Sequence, residues 1–143
     1  MNSSIVIALP KIEDAKKIRA ILIRYGFSVA SVCSTGAGAL ASMSELDGGV
    51  LICGYHLPDM YYRDILEYLP SYFQLLLLAS ARVIGEAPSS VLSVEMPMKA
   101  SDLVNTVDMV LSQLERRWKK DKKRPKPRSW KEQNYISNAK FLL

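Results

Sequence analysis

The sequence predicts an α/β fold: a doubly wound parallel sheet of five strands in the order 2-1-3-4-5, finished by an extended C-terminal helix. Two observations predict it. Short, continuous apolar runs recur along residues 1–115, as in strands buried on both faces. Segments with apolar residues at helical spacing lie between them, and such alternation implies a parallel sheet with right-handed crossovers.

Ile5-Val6-Ile7-Ala8-Leu9 is the first such run. Ala15, Ile18, Leu22 and Tyr25 follow at helical spacing, with Lys16, Lys17, Arg19 and Arg24 mostly off that face. Gly26 stands where the end of a helix calls for a left-handed residue. A second strand is expected over 27–33 and a helix of small residues over 36–46. Gly48-Gly49 reads as a turn into a third strand over 50–53. A third helix is expected over 61–69, and a fourth strand over 73–79. Residues 80–90, with Gly85 and Pro88, read as a weak helix or a loop. A fifth strand over 91–94 precedes a long helix capped by Ser101. These units match the flavodoxin-like arrangement, whose ligands bind beyond the carboxyl ends of the strands. Gly36-Ala37-Gly38 lacks the third glycine of a dinucleotide fingerprint, and no phosphate loop or paired catalytic groups accompany it. A nucleotide-binding enzyme is therefore disfavoured.

At 143 residues and 16.0 kDa the chain suits one domain plus an appendage. Hydrophobic residues make up 49%, enough for a real core. The apolar run at 75–79 is far too short to span a bilayer, and the start "MNSSIVIALPK" lacks the basic and apolar regions of a signal peptide. A cytoplasmic protein without membrane attachment is expected. Cys33 and Cys53 lie in apolar runs and read as buried reduced thiols, with neither a metal nor a cofactor implied. The charge is divided. Residues 1–115 hold 8 Lys/Arg and 12 Asp/Glu, whereas residues 116–143 hold 11 and 2, so an acidic globule carries a basic tail.

The stretch "GGVLICGYHLPDMYYRDIL", residues 48–66, couples an apolar run to a "YHLPDM" loop. Together with Ser80-Ala81 after the fourth strand and Met96-Pro97 after the fifth, it resembles a response-regulator receiver domain over residues 4 to 115. The resemblance implies an acidic pair after the first strand to hold Mg²⁺, a phosphate-accepting aspartate after the third, a Ser/Thr after the fourth and a lysine after the fifth. Three carboxylates in one cleft are tolerable only with a divalent cation and an ammonium group. In this chain the acidic pair falls on Leu9 and Pro10, the acceptor on Gly54 and the lysine on Met96, and only Ser80 keeps its type. The losses are coherent: without carboxylates there is nothing for a metal or a lysine to neutralise. The chain therefore resembles a pseudo-receiver, with Leu9, Pro10, Gly54, Ser80 and Met96 forming a degenerate phosphorylation pocket. Asp59 and the Glu13-Asp14 pair are the nearest substitutes. Asp59 belongs to the loop, and Glu13-Asp14 suit the first turn of a helix. His56, the single histidine, reads as a loop residue beside that pocket or as a pH-sensitive group.

In the last helix Val104, Val107, Leu111, Leu114 and Trp118 are spaced three, four, three, four, as in a dimerisation seam. The same stripe could pack on the sheet, although Leu103 and Val110 widen it enough to cover the sheet instead. Beyond it, Arg116, Arg117, Lys119, Lys120, Lys122, Lys123 and Arg124 form a basic run suited to a nucleic-acid backbone or to a solvated linker. This run over 116–128 is expected to be a helix extension and linker. Ser129 then stands three residues before Glu132, a capping box, and Tyr135, Ile136, Ala139, Leu142 and Leu143 make an apolar face. The pattern "RS-x-x-E-x-x-x-I-x-x-AK-x-LL" resembles the opening of an ANTAR domain, a helical bundle that binds RNA hairpins in transcription antitermination. Residues 129–143 would be the first part of that bundle. The resemblance implies a non-enzymatic regulator, homodimeric, that meets an RNA hairpin through a complete output domain and a sensor or regulatory protein through its receiver part. Residues 1–143 alone are expected to hold RNA weakly and without sequence preference. Two rivals stand beside it: a phosphorelay receiver with a non-standard acceptor, and a stand-alone interaction module whose basic tail meets an acidic surface.

Overall fold

The computed structural model of the chain describes residues 2–123. Its elements are β1 (Ser3–Ala8), α1 (Ile12–Arg24), β2 (Val29–Cys33), α2 (Gly36–Ser44), β3 (Gly48–Gly54), α3 (Tyr62–Glu67), β4 (Phe73–Ala79), α4 (Ala81–Glu86), β5 (Leu92–Glu95) and α5 (Ala100–Lys123). The strands form one sheet in the order β2-β1-β3-β4-β5, with every pair parallel. This is the flavodoxin-like order expected from the sequence.

Alternation along the central strands divides the core in two. Ile5 and Ile7 of β1, Val50 and Ile52 of β3, and Leu76 and Leu78 of β4 face α1 and α5. Val6, Ala8, Leu51, Cys53, Leu75 and Leu77 face α2 and α3. Every residue of β3 is buried, which is why its sequence is continuously apolar rather than alternating.

Several expectations are corrected at element ends. Gly48 and Gly49 do not form a turn but open β3, where Gly49 has φ of +147° and lies too close to the Ser4 carbonyl to admit a side chain. Phe27 does not start β2; its N–H donates to the Leu22 carbonyl and, with Gly26 at φ +91°, closes α1. Ser101 is not the cap of α5, since Asp102 and Leu103 already donate to the Lys99 carbonyl. Residues 80–90 do contain a helix, the short α4. The Ser129–Glu132 capping box, Arg124 and the apolar face of residues 135–143 lie outside the described residues.

Candidate functional site

At the carboxyl ends of the strands the structure brings Leu9 and Pro10 against Gly54, and Leu9 and Met96 into one cleft. Leu9 is buried where β1 ends, and its N–H donates to the Cys33 carbonyl at 3.1 Å. Gly54 ends β3 beside Leu78 of β4. A Cβ at Gly54 would stand 3.2 Å from Leu9 Cδ2 and 3.5 Å from Pro10 Cδ. The first contact is tight and the second ordinary, so a side chain at this position would meet aliphatic atoms. Met96 follows β5, tied there by its N–H to the Ala79 carbonyl at 2.8 Å, and the Met96–Pro97 peptide is cis. Ser80 is exposed at the N-terminus of α4, where its side chain makes no capping hydrogen bond. Between α1 and the segment after β5, Leu9, Ile18, Ile21, Leu78, Met96 and Met98 line a largely apolar cleft of about 400 Å³. Asp14 and Lys17 of α1, together with Pro97, complete its lining.

Of the nearby acids, Asp59 is engaged elsewhere. The two carboxylate oxygens of Asp59 accept from the Gly36 and Ala37 N–H groups at 2.8 and 2.9 Å, which holds the loop against the start of α2. Those backbone bonds lower the Asp59 carboxyl below its usual range. Leu57 of the same loop is fully buried among α2 and α3 residues. The "LPDM" signature is therefore a structural clasp: leucine as plug, aspartate as cap. Glu13 and Asp14 occupy the first turn of α1, as expected. Among the described residues no group of His, Cys, Asp and Glu side chains could hold a metal. His56 bridges to Tyr61, with ring centroids 4.5 Å apart.

The stripe on α5 is a correction. Val107 and Leu114 are buried against the sheet with Leu103 and Val110, and Val104 and Leu111 pack partly buried on the same cluster. Glu115 shares the flank of Val104 and Leu111, and its carboxylate accepts from Ser3 Oγ at the head of β1, at 2.7 Å. The seam thus faces the chain's own fold, because a helix that covers a sheet and one that pairs with a second helix need nearly the same spacing. Trp118 stacks edge-on against Tyr72 at 4.9 Å.

Tyr72 itself was not singled out by sequence. It sits at φ +66° before β4, donates its hydroxyl to Asp121, and carries the Arg117 guanidinium over its ring at 4.5 Å. The bond to Asp121 raises its phenol above the ordinary value. A lone tyrosine in a Ser-Tyr-Phe loop offers no spacing signal, so only the fold reveals that it fastens α5 below the sheet. Arg117 is exposed but lies over the Tyr72 ring, and Arg116, Lys119 and Lys120 are exposed as well. Lys122 and Lys123 continue the same helix.

No family model matches the chain, and no curated protein does. Solved structures match it closely in fold. The signal receiver domain of an HD domain-containing protein from Pseudomonas fluorescens Pf-5 superposes with a TM-score of 0.71 at 14% identity, covering 82% of this chain and 92% of that one. A CheY-like receiver domain from Methanospirillum hungatei JF-1 gives 0.66 at 17%, covering 80% and 98%. The beryllofluoride-activated NtrC4 receiver domain dimer gives 0.67 at 13%, covering 78% and 98%. The chain has the response-regulator receiver fold. Among the described residues no helix is long and apolar enough to cross a membrane.

Proposed function

We propose that the chain is a pseudo-receiver: a phosphorylation-independent regulatory and dimerisation platform for an RNA-binding antitermination output domain of the ANTAR type. The observation that carries the first half is the packing at Gly54. A side chain there would meet Leu9 tightly and Pro10 at ordinary contact distance, two apolar residues where the reading expects metal-holding acids. With an apolar Met96 in place of the lysine, the pocket has neither the charge to attract Mg²⁺ nor the cation to answer a phosphoryl group. The rival with a substitute acceptor is weakened because Asp59 is bound to two backbone N–H groups at the start of α2.

The second half rests on the tail. The C-terminal part of α5 is rich in basic residues, and the "RS-x-x-E" segment follows them in the sequence. Pairing of two chains would use surfaces other than the buried faces of Val107 and Leu114. The module would serve in signalling within the cell and catalyse nothing itself. Filter binding tests the RNA role. Residues 1–143 should hold a structured hairpin and an unrelated RNA of equal length alike. Most binding should disappear between about 50 and 200 mM salt, since it would come from counterion release. A chain extended through a complete helical bundle should prefer the hairpin. Tight, salt-resistant, hairpin-specific binding by residues 1–143 would contradict the assignment of RNA reading to the output bundle.

A further inference from the structure

The cleft between α1 and the segment after β5 lies where open α/β sheets take their ligands, beyond the carboxyl ends of the strands. Its volume of about 400 Å³ falls within the range of small-molecule sites, and its walls are aliphatic and thioether groups. Met96, 41% exposed, and the half-buried Met98 are unbranched and adaptable, suited to closing over a flat apolar body. A docked helix is a poor occupant. It needs anchors over two turns or more, whereas the apolar wall offered by α1 is only Ile18 and Ile21. Asp14 and Lys17 lie one turn apart on α1 and place an acceptor and a donor beside the apolar walls.

We infer that this cleft binds a small neutral amphipathic molecule, with an apolar or aromatic body between Leu9, Leu78 and Met96 and a hydroxyl or amide head between Asp14 and Lys17. Such a ligand would act at the end of the sheet where the pseudo-receiver reading removes phosphate. The inference rests on that reading for its regulatory meaning but not for the binding itself. An anionic head would meet Lys17 but also the Asp14 carboxylate, whereas a neutral head that both donates and accepts answers the two together.

The probe is 2-naphthol, titrated into the ¹⁵N-labelled chain at neutral pH and followed by amide shifts. Saturable shifts should centre on Lys17, Ile18, Leu78 and Met98. Met96→Glu, at an exposed position where the fold is retained, should weaken binding about tenfold or more by placing a charge on the apolar wall. Naphthalene-2-sulfonate should bind more weakly than 2-naphthol. Shifts that do not saturate, that centre on Tyr55 and Tyr61, or that survive Met96→Glu unchanged would overturn the site. Equal binding of the sulfonate would overturn the neutral head group. None of these results depends on whether the chain accepts phosphate, so the two readings fail separately.

Discussion

At Gly54 an added Cβ would stand 3.2 Å from Leu9 and 3.5 Å from Pro10, both in the segment that follows β1. Gly54→Asp would both overpack this corner and bury a carboxylate without a donor. A loss of about 1–3 kcal/mol is expected in urea unfolding. An unchanged midpoint would mean that Leu9 moves aside and that the corner is looser than its packing indicates. On the neighbouring residue, burial pushes the Cys53 thiol from its ordinary value of 9.0 up to about 12. The unfolded chain therefore ionises first as pH rises. The contribution of the buried neutral thiol is complete below about pH 9 and is lost progressively towards pH 12. Urea midpoints measured across that interval should fall less steeply in Cys53→Ala than in the parent chain, whatever the substitution costs at neutral pH. At this scale the sequence was informative about identity and silent about partners. The missing acids could be counted, but the two backbone N–H groups that occupy Asp59 could not.

Within α5 the ambiguity between a pairing stripe and a sheet-covering stripe is resolved by burial. Leu114 is 6% exposed and Val107 not at all, so neither can join a second copy without leaving its own core. Leu114→Asp should consequently unfold the domain rather than split a dimer, with a loss of about 4 kcal/mol or more, since it combines a large-to-small core change with a buried charge. Retention of full stability with a change only in sedimentation would restore the pairing seam. Element type was legible everywhere but at α4, which read as a weak helix or a loop, because each strand run is short and bounded by turn residues. The ends were less so. Gly48-Gly49 resembles a turn by composition, yet Gly49 is a glycine because β3 passes the Ser4 carbonyl too closely for any side chain. That contact joins residues far apart in sequence and leaves no local trace. The Tyr72 fastening of α5 is hidden for the same reason.

For the molecule as a whole, an acidic domain and a basic extension share one continuous helix, α5, which Ser3 and Tyr72 tie to the amino ends of the strands through Glu115 and Asp121. The residue types at the strand ends are where the pseudo-receiver proposal starts, and the receiver fold was legible in the order of elements. The apolar cleft was not, because it is made by α1 meeting the segment after β5. The central claim is that this receiver fold has no phosphorylation chemistry, and ¹⁵N NMR with Mg²⁺ and beryllofluoride, paired with intact mass after acetyl phosphate treatment, tests it most directly. The account predicts unchanged spectra and no added phosphoryl mass, for the parent chain and for Gly54→Asp alike. Saturable shifts around Gly54 and Ser80 with an acid-labile phosphoryl adduct on the parent chain would contradict it.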